Sequence, residues 1–268
     1  MEDMDTTVAE RYLERIGVTG PVPVDHDGLT LLMARHLATV PFENLSIHLS
    51  ESILLAEDAL ITKIVDRRRG GFCYELNGAF ALLLEHLGFQ VTLLAARVFG
   101  GAGLLGPPFD HMTLRVELER PWLVDVGFGR FVTAPVLLDE RGDQSDPTGT
   151  VRIEPAPRGD LDVILGGQPQ FRIEQRSRDL EEFAATCWFQ QTSPSSHFAT
   201  SLICSLPTPD GRLTLSDRLL ITTVGGVRTE QELGSDAEVL AAYRDHFGIE
   251  IDRLPASPGS AARLMSSN

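Results

Sequence analysis

One cysteine of this sequence stands where a thiol can act as a nucleophile. Cys73 follows Gly70 and Gly71 and opens an apolar stretch with helical spacing. A helix start carries unpaired N–H groups and partial positive charge, which stabilise a thiolate, and the thiolate is the reactive form of cysteine. The glycines let another group approach the backbone closely. The alternative for a free cysteine is a small buried hydrophobe, which we favour for Cys187 and Cys204 but not for Cys73.

A nucleophilic cysteine needs a base, and the base needs a group that orients it. Of seven histidines, His111 is the best placed, because it opens a strand pattern and the next strand ends in Asp125. Neighbouring strands would place these two side chains side by side. Taken alone, they are an ordinary strand histidine and a turn-forming aspartate, but a buried aspartate is costly unless it is paired. Together with Cys73 they form a Cys-His-Asp set, in which we expect His111 and the helix start to lower the Cys73 pKa.

The elements that would position these residues begin with helices. Apolar residues recur at helical spacing up to about residue 89 and predict four of them. These are residues 7–16, a second helix capped by Asp27 and ending before Pro41, residues 56–69 with three arginines in the last turn, and residues 73–87.

Further along the chain the period changes to that of strands. Residues 111–118 alternate strictly between polar and apolar types, which predicts a half-buried strand with His111 and Thr113 on its polar face. Other strands are expected at residues 91–99 and 121–126 and near Arg152, Val163, Phe171, Leu202 and Leu219, with helices from about Asp179 and from Asp236 to Phe247. Helices first, then strands, then a small mixed segment favour an α+β architecture over a doubly wound parallel sheet.

Composition disfavours several classes of protein. At 268 residues the chain is long enough for one or two domains of roughly 150 residues. Its formal net charge of −15 disfavours binding to nucleic acid or to anionic membranes. Three cysteines without a CxxC pair argue against a disulfide framework and a cysteine zinc site. The acidic start and the lack of an apolar run of roughly 18 residues predict a cytoplasmic protein without a signal peptide or membrane span.

Residues 101–106 match the GxGxxG pattern of dinucleotide-binding loops and follow a predicted strand. Asp125 even lies about twenty residues further on, where a ribose-binding acid is expected. The pattern should open a helix, however, and here it runs into Pro107 and Pro108 and then into a strand. We therefore interpret it as a loop that delivers the chain to His111.

Five sequence blocks, in order and at compatible spacing, resemble those of the arylamine N-acetyltransferases. They are Pro-Phe-Glu-Asn-Leu at 41–45, Arg-Gly-Gly-Phe-Cys-Tyr-Glu-Leu-Asn at 69–77, His111 before its strand, Asp-Val-Gly-Phe-Gly at 125–129 and Thr-Ser-Pro-Ser-Ser-His-Phe at 192–198. The resemblance implies an N-terminal helical bundle in residues 1–89, a central β-barrel-like domain in residues 90–198 and a C-terminal α/β lid in residues 199–268. It also implies a catalytic core like that of cysteine proteases, with the active site where the three parts meet.

The resemblance further implies that an acetyl group moves from acetyl-CoA to an arylamine or hydrazine, without a metal. Cys73 is the implied nucleophile, His111 the base and Asp125 the carboxylate that orients the base. The cysteine first takes the acetyl group and releases coenzyme A, and the amine then attacks the acetyl-cysteine, which predicts ping-pong kinetics. Backbone N–H groups at the helix start are expected to hold the oxyanion.

Three more residues match family positions around the substrates. Phe128 matches an aromatic that lines the acceptor pocket, and Arg130 follows where it can border that pocket. Ser195 matches a hydroxyl residue that faces coenzyme A in some members. The phosphates of the coenzyme need cations, and the arginines at 67–69 are near in sequence, but for Arg69 we favour a structural role at its helix end.

Three other functions stay open on the sequence. Amide synthases of the same fold use the same triad to release a macrolactam from a polyketide carrier, and a wide cleft without turnover of acetyl-CoA would favour that function. A thiol hydrolase also uses a Cys-His-Asp set and passes the acyl group to water. A non-catalytic binding module is disfavoured, because it need not keep a costly buried carboxylate. The sequence carries no signal for the oligomeric state.

Overall fold

The computed structural model describes residues 7–257. Helices make up the first part of the chain. The helices are α1 (Val8–Arg15), α2 (His26–Thr39), α3 (Leu45–His48), α4 (Glu57–Ile61) and α5 (Cys73–His86). α1 begins at a capping box, in which the Thr7 hydroxyl accepts the Glu10 N–H and the Glu10 carboxylate accepts the Thr7 N–H. The acidic start and the end of the predicted lid, residues 1–6 and 258–268, lie outside the described residues.

Two helix boundaries differ from the prediction. α2 is capped by Asp25, whose extended backbone lets its side chain accept the Gly28 N–H at 2.9 Å, whereas Asp27 lies inside the first turn. The third predicted helix is shorter, because α4 passes into one turn of π-helix at Thr62–Asp66 and ends there. The arginines that follow lie beyond the helix, and Arg68 adopts a positive φ of 51°.

α5 carries Cys73 as its first residue and runs through the core. Every residue from Cys73 to Leu84 is buried, which explains why this helix is apolar on nearly all sides. The Glu75 carboxylate accepts the N–H of the preceding Phe72 at 3.3 Å, and its negative charge suits the start of a helix. The chain turns away at Gly88, whose φ of +96° favours glycine.

Eight antiparallel strands form the barrel-like sheet that holds His111. In order across the sheet they are β5 (Val136–Leu137), β4 (Pro121–Val124), β3 (His111–Glu117), β2 (Gln90–Val98), β9 (Gln168–Arg178), β8 (Leu161–Leu165), β7 (Gly149–Pro155) and β6 (Gln144–Asp146). The two edge strands are bridged by the Gln144 side chain, which bonds the N–H and the carbonyl of Leu137 at 2.8 and 2.9 Å. This bridge nearly closes the sheet into a barrel.

β3 is buried on both faces over its first half, although its alternation predicts one exposed face. Residues 111–114 are each at most 2% exposed. Met112 packs in the same apolar cluster as Cys73, while the His111 ring packs against Phe171 of β9. Tertiary packing therefore covers the face that the polar residue types would leave to solvent.

The C-terminal part forms a second sheet of five strands. Its order is β1 (Phe42–Glu43), β10 (Cys204–Thr208), β11 (Gly211–Ser216), β12 (Leu219–Val224) and β13 (Val227–Glu232). Helices α6 (Ala184–Thr192) and α7 (His197–Thr200) lie between the two sheets along the chain, and α8 (Asp236–Phe247) packs on the second sheet through Tyr243 and Phe247. Because β1 comes from the helical part, the first and last segments share one sheet.

The α+β class and the barrel-like sheet are confirmed. The division of the chain at residues 89 and 198 stays a prediction. The sequence analysis did not predict strands β1, β5, β6, β11 and β13, of which β1, β5 and β6 have only two or three residues. Within residues 7–257 no helix is long and apolar enough to cross a membrane.

Candidate active site

Cys73 lies in the wall of a cavity of about 400 Å³ that opens between α5, the barrel-like sheet and the segment from α6 to α7. All three regions contribute lining residues, among them Cys73, His111, Gly127, Phe128, Ser195 and Phe198. Cys73 is only 4% exposed. A substrate therefore reaches the sulfur through this cavity.

His111 and Asp125 form a buried, hydrogen-bonded pair beside the sulfur's cavity. Antiparallel pairing of β3 with β4 sets Leu114 opposite Val124, so the start of one strand lies near the residue that follows the other. His111 Nε2 is 2.5 Å from Asp125 Oδ2, and both side chains are at most 2% exposed. The predicted proximity of these two residues is confirmed. With Nε2 engaged by the carboxylate, Nδ1 is the ring nitrogen left to exchange a proton with a partner.

Asn77 orients Asp125, a role that the sequence analysis missed. The Asn77 amide donates to Asp125 Oδ1 at 3.0 Å and to the Met112 carbonyl at 2.7 Å. Its own oxygen accepts the Val126 N–H at 2.9 Å, and the Gly127 N–H donates to Asp125 Oδ1 at 2.9 Å. The available signal was spacing, because Asn77 follows the cysteine by one helical turn and so shares its face of α5.

Gly127 lets the barrel-like sheet approach the start of α5. A Cβ atom at this position would lie 2.7 Å from Cys73 Cα and 2.7 Å from Asn77 Nδ2. The backbone of Cys73 cannot move aside as a flexible side chain would. A glycine is therefore required where the aspartate-bearing loop meets the cysteine-bearing helix.

The electrostatic surroundings of Cys73 differ from the sequence-based expectation. Burial raises the pKa of the Cys73 thiol well above its usual range, and only a hydrogen bond from the Met112 backbone acts in the opposite direction among the main influences. The charges of Asp125 and Asp110 raise this pKa further. The sequence analysis predicted that the helix start and His111 lower the pKa of Cys73, and this prediction is wrong, because burial of the sulfur raises that pKa. Burial therefore disfavours a free thiolate at this sulfur, and His111 lines the same cavity.

The three residues matched to the substrates occupy different positions. Phe128 lines the cavity, and its ring meets the His111 ring edge-on with 5.0 Å between centroids. Ser195 is exposed and lines the same cavity. Arg130 is exposed and is not among the described residues that line this cavity. Its charge and, to a larger extent, burial lower the pKa of Arg212 on the second sheet.

Arg69 is a structural residue, as predicted, but with a different partner. Its side chain is 7% exposed, and its Nη2 and Nε lie 3.0 and 3.1 Å from Glu43 Oε1. The backbone carbonyls at the end of the preceding helix are bonded by another arginine. Arg15 donates to the carbonyl of Ile64 in the last turn and to that of Arg68 just beyond it.

The other two cysteines and the glycine-rich loop carry no chemistry of their own in the structure. Cys187 and Cys204 are buried at 1% and 0% exposure, which confirms the core interpretation. Residues 101–106 form a loop with a single 3₁₀ turn and no α-helix after it, so the dinucleotide motif lacks its structural context. Among the described residues, no group of three or more histidine, cysteine, aspartate or glutamate side chains is placed to hold a metal ion.

Comparison with known proteins supports the relationship inferred from the sequence blocks. A family model described as N-acetyltransferase matches residues 25–255. The arylamine N-acetyltransferase of Mycolicibacterium smegmatis is 35% identical over 260 residues, which cover 91% of this chain and 92% of the relative. The arylamine N-acetyltransferase of Escherichia coli K12 is 33% identical over 256 residues, covering 92% of this chain and 90% of the relative.

Solved structures agree with these sequence relationships. The structure of Mycobacterium marinum arylamine N-acetyltransferase in complex with CoA is similar to this chain with a TM-score of 0.77 at 32% identity, and the match covers 89% of this chain and 91% of the other. Fold, site and family model together define an N-acetyltransferase. More narrowly, the chain belongs to the arylamine N-acetyltransferase family.

Proposed function

We propose that this chain transfers an acetyl group from acetyl-CoA to an arylamine or hydrazine, and that the group is carried on Cys73 between two half-reactions. The observation that carries the proposal is the cavity in which Cys73 and His111 both stand in the wall, with Asp125 hydrogen-bonded behind the imidazole. The relatives named as arylamine N-acetyltransferases and the coenzyme A complex of one of them support the donor and the acceptor class. A cytoplasmic location belongs to the same proposal, since acetyl-CoA is made and used inside cells.

In the first half-reaction the Cys73 sulfur attacks the thioester carbonyl of acetyl-CoA. Its proton passes to His111 Nδ1, and the Asp125 carboxylate stabilises the imidazolium that results. Backbone N–H groups at the start of α5 hold the developing oxyanion. The carbon–sulfur bond to the coenzyme then breaks, and His111 returns the proton to the departing thiolate of coenzyme A. The products are acetyl-cysteine and free coenzyme A.

In the second half-reaction the amine attacks the carbonyl of acetyl-cysteine. An arylamine is neutral near pH 7, so its lone pair is available without prior loss of a proton. His111 takes a proton from the nitrogen as the bond forms and gives it to the Cys73 sulfur as the amide leaves. In this proposal Phe128 packs against the acceptor ring, Ser195 faces coenzyme A, and Arg130 stands beyond the cavity wall near the acceptor's entry.

The test is a set of initial rates in which acetyl-CoA and an arylamine are varied together. Parallel lines in double-reciprocal plots are expected, because coenzyme A leaves before the amine reacts. Cys73→Ser should show no measurable transfer, while Cys187→Ser, a change at a buried cysteine outside this cavity, serves as the matched control. Converging lines, or transfer that survives Cys73→Ser, would contradict the covalent mechanism. A lack of turnover of acetyl-CoA by the intact protein would redirect the search to another acyl donor.

A further inference from the structure

A second carboxylate stands in the cavity beside the proposed triad. Asp110 directly precedes His111 and lines the same cavity as Cys73. Its Oδ1 accepts a hydrogen bond from the Gln190 side chain at 2.8 Å, and its Oδ2 accepts the Val98 backbone N–H at 3.4 Å. The side chain is half-buried, so part of it faces the cavity.

The position of this carboxylate is built by its neighbours. The Tyr74 hydroxyl lies 2.8 Å from the Phe109 carbonyl and 3.1 Å from the Asp110 carbonyl, to which it donates. Phe109 holds a φ of +60°, a strained value for a residue with a side chain. A Cβ atom at Gly106 would lie 2.1 Å from Asp110 Oδ2, so glycine at this position lets the carboxylate keep its observed place against the loop.

Within residues 7–257 no lysine, arginine or histidine forms an ion pair with the Asp110 carboxylate. Burial raises the pKa of Asp110, and hydrogen bonds from Val98 and Gln190 together with the nearby His111 and Arg97 offset only part of that rise. A carboxylate has about four lone-pair sites, and two are engaged here. The remaining acceptor capacity is available to a ligand in the cavity.

This carboxylate is also within electrostatic reach of the reacting sulfur, because its charge raises the pKa of Cys73. The other ionisable residues of the cavity wall are His111, which is engaged by Asp125, and the exposed His197. After coenzyme A has left, the acceptor is the molecule that occupies this space. We propose that Asp110 selects the acceptor. Its carboxylate accepts a hydrogen bond from a donor group on the aromatic ring of the acceptor, or pairs with a cationic group there, and it repels a carboxylate on that ring. This inference rests on the proposed function.

The experiment compares two acceptors of nearly equal shape, 4-aminobenzamide and 4-aminobenzoate, together with their 3-substituted isomers. In a ping-pong reaction the kcat/KM of the acceptor reports the second half-reaction, and that of acetyl-CoA reports the first. We expect the wild-type protein to prefer the amides, although a carboxylate leaves the ring amine the better nucleophile. Asp110→Asn keeps an oxygen that accepts the Gln190 hydrogen bond and removes the charge. The ratio of kcat/KM for the amide to kcat/KM for the acid should therefore fall about tenfold in one or both isomeric series.

Glu117→Gln is the matched control, because it removes one negative charge at the far end of β3, the strand that Asp110 precedes, and its ratio should equal that of the wild type. The kcat/KM of acetyl-CoA reports separately any effect of Asp110→Asn on Cys73, and that effect cancels in the ratio because both acceptors react with the same acetyl-cysteine. An unchanged ratio in both series, or a change confined to acetyl-CoA, would overturn the proposal. If Asp110→Asn does not fold, the wild-type ratio decides: a preference for the benzoates overturns the proposal, and a preference for the amides that weakens as salt is added supports it. A wild-type protein that takes no acetyl group on Cys73 would overturn the proposed function itself, which is a distinct result.

Discussion

Two buried pairs of ionisable side chains, His111 with Asp125 and Arg69 with Glu43, hold segments that meet at the start of α5. His111 and Asp125 are at most 2% exposed, and Arg69 and Glu43 are at most 7% exposed. Burying polar and ionisable groups is costly in both places, so each pair needs further hydrogen bonds. By burial and geometry alone the two pairs look alike.

The two pairs differ in whether a polar atom is left for a molecule in the cavity. Both oxygens of Glu43 are engaged within the protein, because Arg69 binds one and the Leu45 N–H donates to the other at 2.6 Å. Burial alone would raise the pKa of Glu43, but Lys63 and Arg69 hold it below its usual range. His111, in contrast, keeps a ring nitrogen for exchange and stands in the cavity wall with the cysteine. We therefore expect the Arg69–Glu43 pair to contribute mainly to stability and the His111–Asp125 pair to contribute mainly to the reaction.

The largest effect is expected for Asp125→Asn. The new amide oxygen can still accept from Asn77 and Gly127, but the amide nitrogen would face His111 as a donor and impose the wrong tautomer. We expect kcat/KM for acetyl transfer to fall about 10⁴-fold, as in other triads, with little change in Tm. Steady-state rates and thermal melts check this together. Near-normal activity would show that the triad is wrongly assigned.

The opposite pattern is expected for Arg69→Met. Removing the guanidinium leaves Glu43 buried without its main partner, which should cost about 3–5 kcal/mol of unfolding free energy. The activity of the remaining folded protein should stay within a few-fold of the wild type. Chemical denaturation and kcat measure the two effects, and Arg67→Met at the exposed neighbour is the control. A large loss of activity without loss of stability would break the distinction between the two pairs.

Gly127→Ala should affect both regions at once. The added methyl group would collide with the backbone of Cys73 and with the Asn77 amide. We expect about 3 kcal/mol of destabilisation and a loss of activity of tenfold or more, since α5 and the Asp125 loop must separate. Denaturation curves and kcat/KM of the same preparation test this. A variant that keeps wild-type stability would show that the close approach is not rigid.

The smallest effect is the pH dependence of stability that His36 contributes in the helical part. Burial lowers the pKa of His36 to about 3, so the folded state holds it neutral, beside the Tyr12 hydroxyl at 3.1 Å. In the unfolded chain it titrates near 6.5, so its contribution to stability is present above that pH and is lost as the pH falls toward 3. Between pH 7.5 and pH 5 the loss should be about 2 kcal/mol of unfolding free energy.

Denaturation at the two pH values measures this loss, and His36→Gln should reduce it by the same amount. The exposed His26 supplies the control variant, His26→Gln, which should lose as much unfolding free energy between the two pH values as the wild type. An equal loss in His36→Gln and the wild type would contradict the account.

Local patterns predicted the elements that carry the site. The apolar spacing of residues 73–86 and the alternation after His111 located the helix and the strand, and two consecutive strands were enough to bring Asp125 to the histidine. The five sequence blocks added the family, which comparison with known proteins confirms.

What the sequence did not reveal depends on contacts between distant segments. Asn77 was part of a recognised block, but its bonds to both strands appear only once those strands pack on α5. The polar face of β3 was expected at the surface and is buried against β9. The Cys73 pKa was expected to fall, because the helix start is visible in sequence and the degree of desolvation is not.

The central claim is that Cys73 carries the acetyl group, and intact-mass analysis with peptide mapping tests it directly. The protein is mixed with acetyl-CoA in the absence of an amine, quenched in acid and digested. The account predicts one acetyl group on the peptide that contains Cys73, and its release as an amide when an arylamine is added before the quench. A protein that stays unlabelled while Cys73 still reacts with an alkylating agent would contradict the account and favour a different acyl donor.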